Sequence, residues 1–323
     1  MIVAQDGSGN FTTVQEAIDA IPKNNTERVI IFIKNGVYKE KLYIDKPLIT
    51  LKGEDPEKTI LTFDDYARKI MENGEEMGTF RTSSSFIGGN DFIAENIHFE
   101  NSAGDGRTWG QAVAAYVDAD RVVFRNCIFT AYQDTLFTGP LPSKPKIPGS
   151  FKGPGEGKVK ISGRQYYENC RLVGDVDFIF GSAIAVFHQC TIFSRNRDMD
   201  VNGYITAAST PKDQEYGYVF LDCRLESDAK ENTVYLGRPW REYAHVAFLN
   251  CWMDQHIKCE GWDNWRNEEN EKTAKYYEYK SYGPGARLKE RVKWAHILTE
   301  EEAENYKIEK VLAGSDGWNP QHI

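Results

Sequence analysis

The chain has 323 residues, a formal net charge of −9 and an aromatic content of 13%. That length supplies ample core for one large domain or two small ones. The acidic balance disfavours non-specific nucleic-acid binding, and no apolar run approaches the roughly 18 residues of a membrane span.

Residues 1–26 read as a cap. Met1-Ile2-Val3-Ala4 leads straight into a strand-like start. With neither a charged n-region nor an apolar h-region there, the expectation is a cytoplasmic protein, or an extracellular one if a leader was removed. Thr13 to Glu16 has the form of a capping box, Val14, Ala17, Ile18 and Ile21 follow at helical spacing, and Pro22 ends the helix. A short amphipathic helix of this kind would cover the exposed edge of a stack of strands. Val29–Ile33, Ile49–Leu51, Thr59–Thr62 and Ser84–Ile87 read as strands, with a turn at Asn35-Gly36, and further along Ala185–Phe193 and Tyr218–Leu225 each read as one strand.

A repeat then begins. AENIHFEN, FRNCIFTA, YENCRLVG, FHQCTIFS, FLDCRLES and FLNCWMDQ align on the polar residue before their centre. Ile97, Cys127, Cys170, Cys190, Cys223 and Cys251 then share one column, and Phe99, Phe129, Leu172, Ile192, Leu225 and Met253 a second, two residues on. Spacing of two places both columns on one face of a strand. A short strand recurring at such intervals marks a solenoid, in which each turn buries its face against its neighbours. The irregular interval argues against helical repeats and for a parallel β-helix with loops of varied length on one side. The expected fold class is all-β, one unit over 1–323: a cap over 1–26, coils over 27–262 and a tail over 263–323 packed outside. In that tail, a capping box at Thr299 to Glu302 starts a short helix through Tyr306. The column cysteines read as small inward residues, and without a close CxxC pair they do not suggest zinc. Cys170 and Cys190 lie one coil apart, so a disulfide between them is left open.

The chemistry-bearing residues fall between the repeats. Asp134 in YQDTLF and Asp177 in GDVDFIFG each sit inside an apolar run. Carboxylates there are costly unless paired or hydrogen-bonded; the plainer alternative is that each caps a turn. Gln111 opens a strand of small residues, Ala112–Ala115, and is either a double amide donor or a wetted strand end. Arg238 precedes a proline and can pair bidentately with a carboxylate. Trp240 offers a flat face for a sugar ring or fills the core, and Trp262 and Trp265 extend that choice. Between Gly139 and Gly163 runs a loop rich in Gly, Pro and Lys, whose lysines either touch an anionic ligand or are simply solvated. If Arg238 holds Asp177 ionised while burial raises Asp134, one acid is a nucleophile and the other a proton donor, and the amides of Gln111 and Gln133 can stabilise an oxyanion. That set hydrolyses an ester or a glycoside, and the residues alone leave the choice open.

At these motifs the sequence resembles the pectin methylesterases, carbohydrate esterases on a right-handed parallel β-helix. The likeness runs almost the whole length, from DGSGNFTTVQEAIDAIP through TFRTSSSFI, QAVAAYVDADRVVFRNCIFTAYQDTLF, DVDFIFGSA, YITAAST and YLGRPWREYAHVAFLNC to YGPGA and RVKWA. It implies that Asp177 is the nucleophile on the C6 carbonyl of a methylated galacturonate. Asp134 would be the acid and then the base, Gln133 and Gln111 the oxyanion donors, and Arg238 the partner of Asp177 and a sugar contact. It further implies that Thr79, Trp240, Phe137, Phe180 and Trp262 contact substrate. No metal or organic cofactor is expected, and the partner is methylated homogalacturonan or its oligomers, bound by a monomer. The Gly139–Gly163 loop departs from the plant enzymes, and the absent leader suggests a bacterial enzyme acting on imported oligomers. Polygalacturonase, pectate lyase and a non-catalytic β-helix binding protein remain the alternatives.

Overall fold

The computed structural model describes residues 1–323. Its strands form three parallel sheets of 11, 8 and 7 strands, each joined to the corresponding strand one coil away. Successive coils of the longest sheet include Val122–Arg125, Arg164–Glu168, Ile184–His188, Tyr218–Leu221 and His245–Leu249. The chain is a parallel β-helix.

The repeat marks the corner between two sheets. The segments read as single strands over 185–193 and 218–225 are each two strands, Ile184–His188 with Thr191–Ser194 and Tyr218–Leu221 with Arg224–Ser227. They break where the polar residue of each repeat turns left-handed: Asn96, Asn126, Asn169, Gln189, Asp222 and Asn250 all have φ between 51° and 56°. Asn and Asp tolerate that region better than other side-chain-bearing residues. The side-chain amides also stack, with Asn169 donating to Asn126 at 2.7 Å.

Both apolar columns face inward. Ile97, the five column cysteines and the six residues two positions on are all buried. Beside them Phe124, Tyr167, Phe187, Phe220 and Phe248 stack ring on ring at centroid spacings of 5.0, 4.6, 4.6 and 4.3 Å. These spacings match the separation of neighbouring strands, so the coil pitch sets the ring stack. The Cys170–Cys190 bridge does not form. All six cysteines are free, and the Cys190 thiol donates instead to the Tyr167 carbonyl of the coil below.

At the N-terminal end the helix spans Val14–Asp19 and buries Val14, Ala17 and Ile18. Its capping differs from the sequence expectation. Thr13 accepts from the Glu16 amide, but Glu40 takes the Val14 and Gln15 amides at 2.9 and 2.8 Å. The second box, at Thr299–Glu302, is complete, and its helix gives way to a 3₁₀ turn over Glu304–Tyr306. Sheet pairing extends beyond 27–262 at both ends. Ile2–Val3 pairs with Val29–Ile33, and Lys275–Tyr279 and His296–Ile297 add two further rungs. The tail's Ile308, Val311, Leu312 and Trp318 pack against Val123, Tyr166, Val186 and Val219 on the outer face of the long sheet.

Candidate active site

The seven-stranded sheet carries the site. Leu136–Thr138 pairs in parallel with Val176–Gly181, with Leu136 opposite Ile179 and Phe137 opposite Phe180. The same register carried back two residues sets Asp134 opposite Asp177, and the Asp134 amide donates to the Val176 carbonyl at 3.1 Å. The acids hang from neighbouring coils, about 4.8 Å apart at the backbone. Both are left-handed, at φ 66° and 51°.

A bulge aims Asp177. Val176 and Ile179 pair with Tyr204 and Thr206, three steps on one strand against two on the other. Such an extra residue re-aims a side chain. Phe178 and Ile179 both enter the core, while Asp177 and Phe180 turn to the cleft. Arg238 then grips Asp177 with two parallel bonds, Nε to Oδ1 at 2.8 Å and Nη2 to Oδ2 at 2.7 Å. The guanidinium is itself sandwiched between the Tyr204 and Trp265 rings, 3.8 Å from each centroid. Those stacks and the bidentate pair fix both position and charge.

The two carboxyls are pushed unequally. Burial raises Asp177 above the ordinary carboxylate range, and the charge and hydrogen bonds of Arg238 pull it back. Burial raises Asp134 much further, and the charge of Asp177 adds to it. Asp177 therefore ionises first, and Asp134 holds its proton while its neighbour is charged.

The cleft around them has a volume of about 400 Å³. Thr79, Gln111, Gln133, Phe180, Arg238 and Trp240 line it, as expected from the sequence. Gln133 lies over Gly106, where an added Cβ would come within 2.8 Å of its own. Two expected lining residues do not reach the surface. Phe137 is fully buried, because Phe80 covers it at 5.0 Å and Phe180 at 5.0 Å. Trp262 is also in the core, stacked 4.0 Å from Tyr276; Trp265, three residues on, supplies the exposed wall. Gln111 does not open a strand directly: the strand is Ala115–Val117, and before it only single amides, those of Ala112 and Ala114, donate to Gln133 and Thr135 of the next coil.

Three contributors escaped the sequence reading. Phe80 sits in a 3₁₀ turn over Thr79–Arg81 and forms much of the cleft floor with Phe180. Tyr204 is the second plate on Arg238; its signal was its place in YITAAST, alternating with inward Ile205. Phe151, from the Gly139–Gly163 loop, packs on Phe80 and Trp240. That loop contains no strand, and Lys152 ties it to Glu75 at 2.8 Å.

The Pectinesterase family profile matches residues 1–140 and 152–315. The chain belongs to the pectinesterase family. This family member is 40% identical over 311 residues to Pectinesterase 31 of Arabidopsis thaliana, across 94% of this chain and 89% of that one. It superposes on pectin methylesterase from carrot with a TM-score of 0.82 at 31% identity, covering 97% of this chain and 92% of that one. A pectin methylesterase solved with a hexasaccharide gives 0.81 at 31% identity, covering 99% and 98%. The bacterial source expected from the sequence gains no support from relatives that come from plants. Residues 141–151, inside the cleft-side loop, are the internal stretch outside the family match.

Proposed function

We propose that this pectinesterase-family chain hydrolyses the C6 methyl esters of methylated galacturonan, releasing methanol and leaving free carboxylates on an uncut chain. The observation that carries the residue roles is the Arg238-held Asp177 in register with a proton-holding Asp134. Asp177 Oδ attacks the ester carbonyl carbon, and the electron pair moves to the carbonyl oxygen. The Gln111 and Gln133 amides face the cleft and donate to that oxyanion. Collapse breaks the bond to methoxide, and Asp134 supplies the proton that makes it methanol. The resulting anhydride joins Asp177 to the sugar acid. Asp134, now ionised, takes a proton from water, whose oxygen attacks the acyl carbon and restores Asp177.

Thr79, Phe180, Trp240 and Trp265 supply faces against which sugar rings pack, and a solved relative is in complex with a hexasaccharide. Arg238 acts as a positioning residue with one edge toward the sugar. The deciding measurement is product analysis on esterified pectin. Methanol with unchanged polymer length supports the esterase; new reducing ends or an unsaturated product would mean chain cleavage and overturn it.

A further inference from the structure

We propose that the single helical turn Gly106–Trp109 is the seat that aims both oxyanion amides, and that Gly106 within it is a positioning residue for Gln133. The proposal rests on the esterase reading above, in which Gln133 and Gln111 donate to the developing oxyanion. The turn lies against one amide residue and runs into the other. A Cβ added at Gly106 would stand 2.8 Å from the Gln133 Cβ and 3.1 Å from its Oε1, and the three atoms nearest to it all belong to that side chain. Gly106 has helical backbone, which any residue adopts, so the demand for glycine comes from Gln133. At the other end Gly110 is left-handed at φ 80° and delivers the chain to Gln111.

Neither side of this contact is loose. The Gln133 carbonyl accepts from the Ala112 amide at 3.1 Å, and the following amide, that of Asp134, donates to the Val176 carbonyl at 3.1 Å. The turn is tied down from three directions. Asp105 caps it by accepting from the Arg107 amide at 2.8 Å. Arg107 Nη1 donates to the Arg197 carbonyl at 3.0 Å. Arg68 Nη1 donates to the Arg107 and Thr108 carbonyls at 2.9 and 3.0 Å. The Trp109 ring packs on Tyr66 with centroids 4.7 Å apart, and the Gln111 carbonyl accepts from the Ala67 amide at 2.9 Å.

A seat of this kind fixes where an amide points before any substrate arrives. Donors aimed in advance at a developing charge are what make an oxyanion site effective. Carbon atoms rest about 3.5–4.0 Å apart, so a methyl at Gly106 would drive the Gln133 Cβ away by at least about 0.7 Å. The Cβ is bonded to the backbone, so a change of rotamer cannot relieve the contact, and the amide at the far end of the side chain is displaced with it. Misplacement on this scale weakens a bond made to the tetrahedral oxyanion more than any contact with the planar ester, so it falls on kcat before KM.

The test measures kcat and KM for methanol release from esterified pectin, with a melting scan on each variant. Gly106→Ala should lower kcat about tenfold, a part of the roughly 10²- to 10³-fold that losing an oxyanion donor costs, and leave KM within about twofold. In a Gln133→Ala background the same substitution should change kcat by less than about twofold, since no amide remains to be displaced. If Gly106→Ala melts early, Arg107→Gln loosens the turn without adding bulk and should lower kcat about threefold, again only while Gln133 is present. Unchanged kcat in both single variants, a loss confined to KM, or an equal loss with and without Gln133 overturns the seat. Absence of methanol from the intact chain would overturn the esterase reading instead.

Discussion

The corner between the two larger sheets and the cleft use the same backbone device for opposite ends. At the corner, Asn96, Asn126, Asn169, Gln189, Asp222 and Asn250 turn left-handed once per coil. There the side chains are repeated, and amides of neighbouring coils bond to one another. In the cleft, Asp134 and Asp177 are left-handed as well. Those two are acids, they are buried, and the next coils do not repeat them. A periodic stack therefore makes a site by breaking its own period: the left-handed residue supplies the aim, and burial of the carboxylate, which the exposed Asp222 at the corner lacks, supplies the chemistry.

Substitutions separate the two regions. The largest effect belongs to Asp177→Ala. Methanol release should fall by at least about 10³-fold while the melting transition stays close to that of the parent; substantial turnover by this variant would break the comparison on the cleft side. Asp134→Asn should lower turnover by about 10²- to 10⁴-fold, since an amide supplies no proton. It should also alter the pH dependence of stability. The native Asp134 pKa lies above its unfolded value, so its favourable contribution is present at low pH and is lost as pH rises through the native value. Melting scans between pH 4 and 8 should show the parent losing more stability over that range than the Asn variant.

The corner responds in the other direction. Asn169→Val should cost about 1–2 kcal/mol by chemical denaturation, because a β-branched residue resists left-handed backbone. Asn169→Gly should cost much less, and both should retain turnover per folded molecule. The smallest effect is expected at Asp175, whose carboxyl burial pushes up to about 6 and whose charge helps to raise Asp134. Asp175→Asn removes that charge, lowers the Asp134 pKa and moves the alkaline limb of the pH–rate curve to lower pH. An unmoved limb would show that Asp175 does not act on Asp134.

Much of the stack was legible in the sequence because each coil repeats the same demand. The columns from Ile97 to Cys251 and from Phe99 to Met253 are buried without exception. The polar residue before each column was visible, although its left-handed turn was not, so the strands on either side were read as one. The cleft residues Asp134, Asp177, Gln111, Gln133 and Arg238 stood out as polar groups in apolar surroundings. Orientation around them did not. Strict alternation cannot place Phe178 and Ile179 on the same inward side; only the bulge does. Phe137 faces the correct side of the sheet, yet Phe80, 57 positions earlier in the chain, lies over it. Trp262 and Trp265 are equally aromatic on paper, and tertiary packing alone decides that one stacks inward on Tyr276 and the other on Arg238.

The unbridged sulfur column has a practical meaning of its own. Five thiols lie in the dry interior, whereas Cys259 is partly accessible. The fold is thus indifferent to reductant, and an alkylating reagent has one fast target and five that report only on opening of the coils. Progressive labelling at those five positions would time, rung by rung, how the solenoid comes apart.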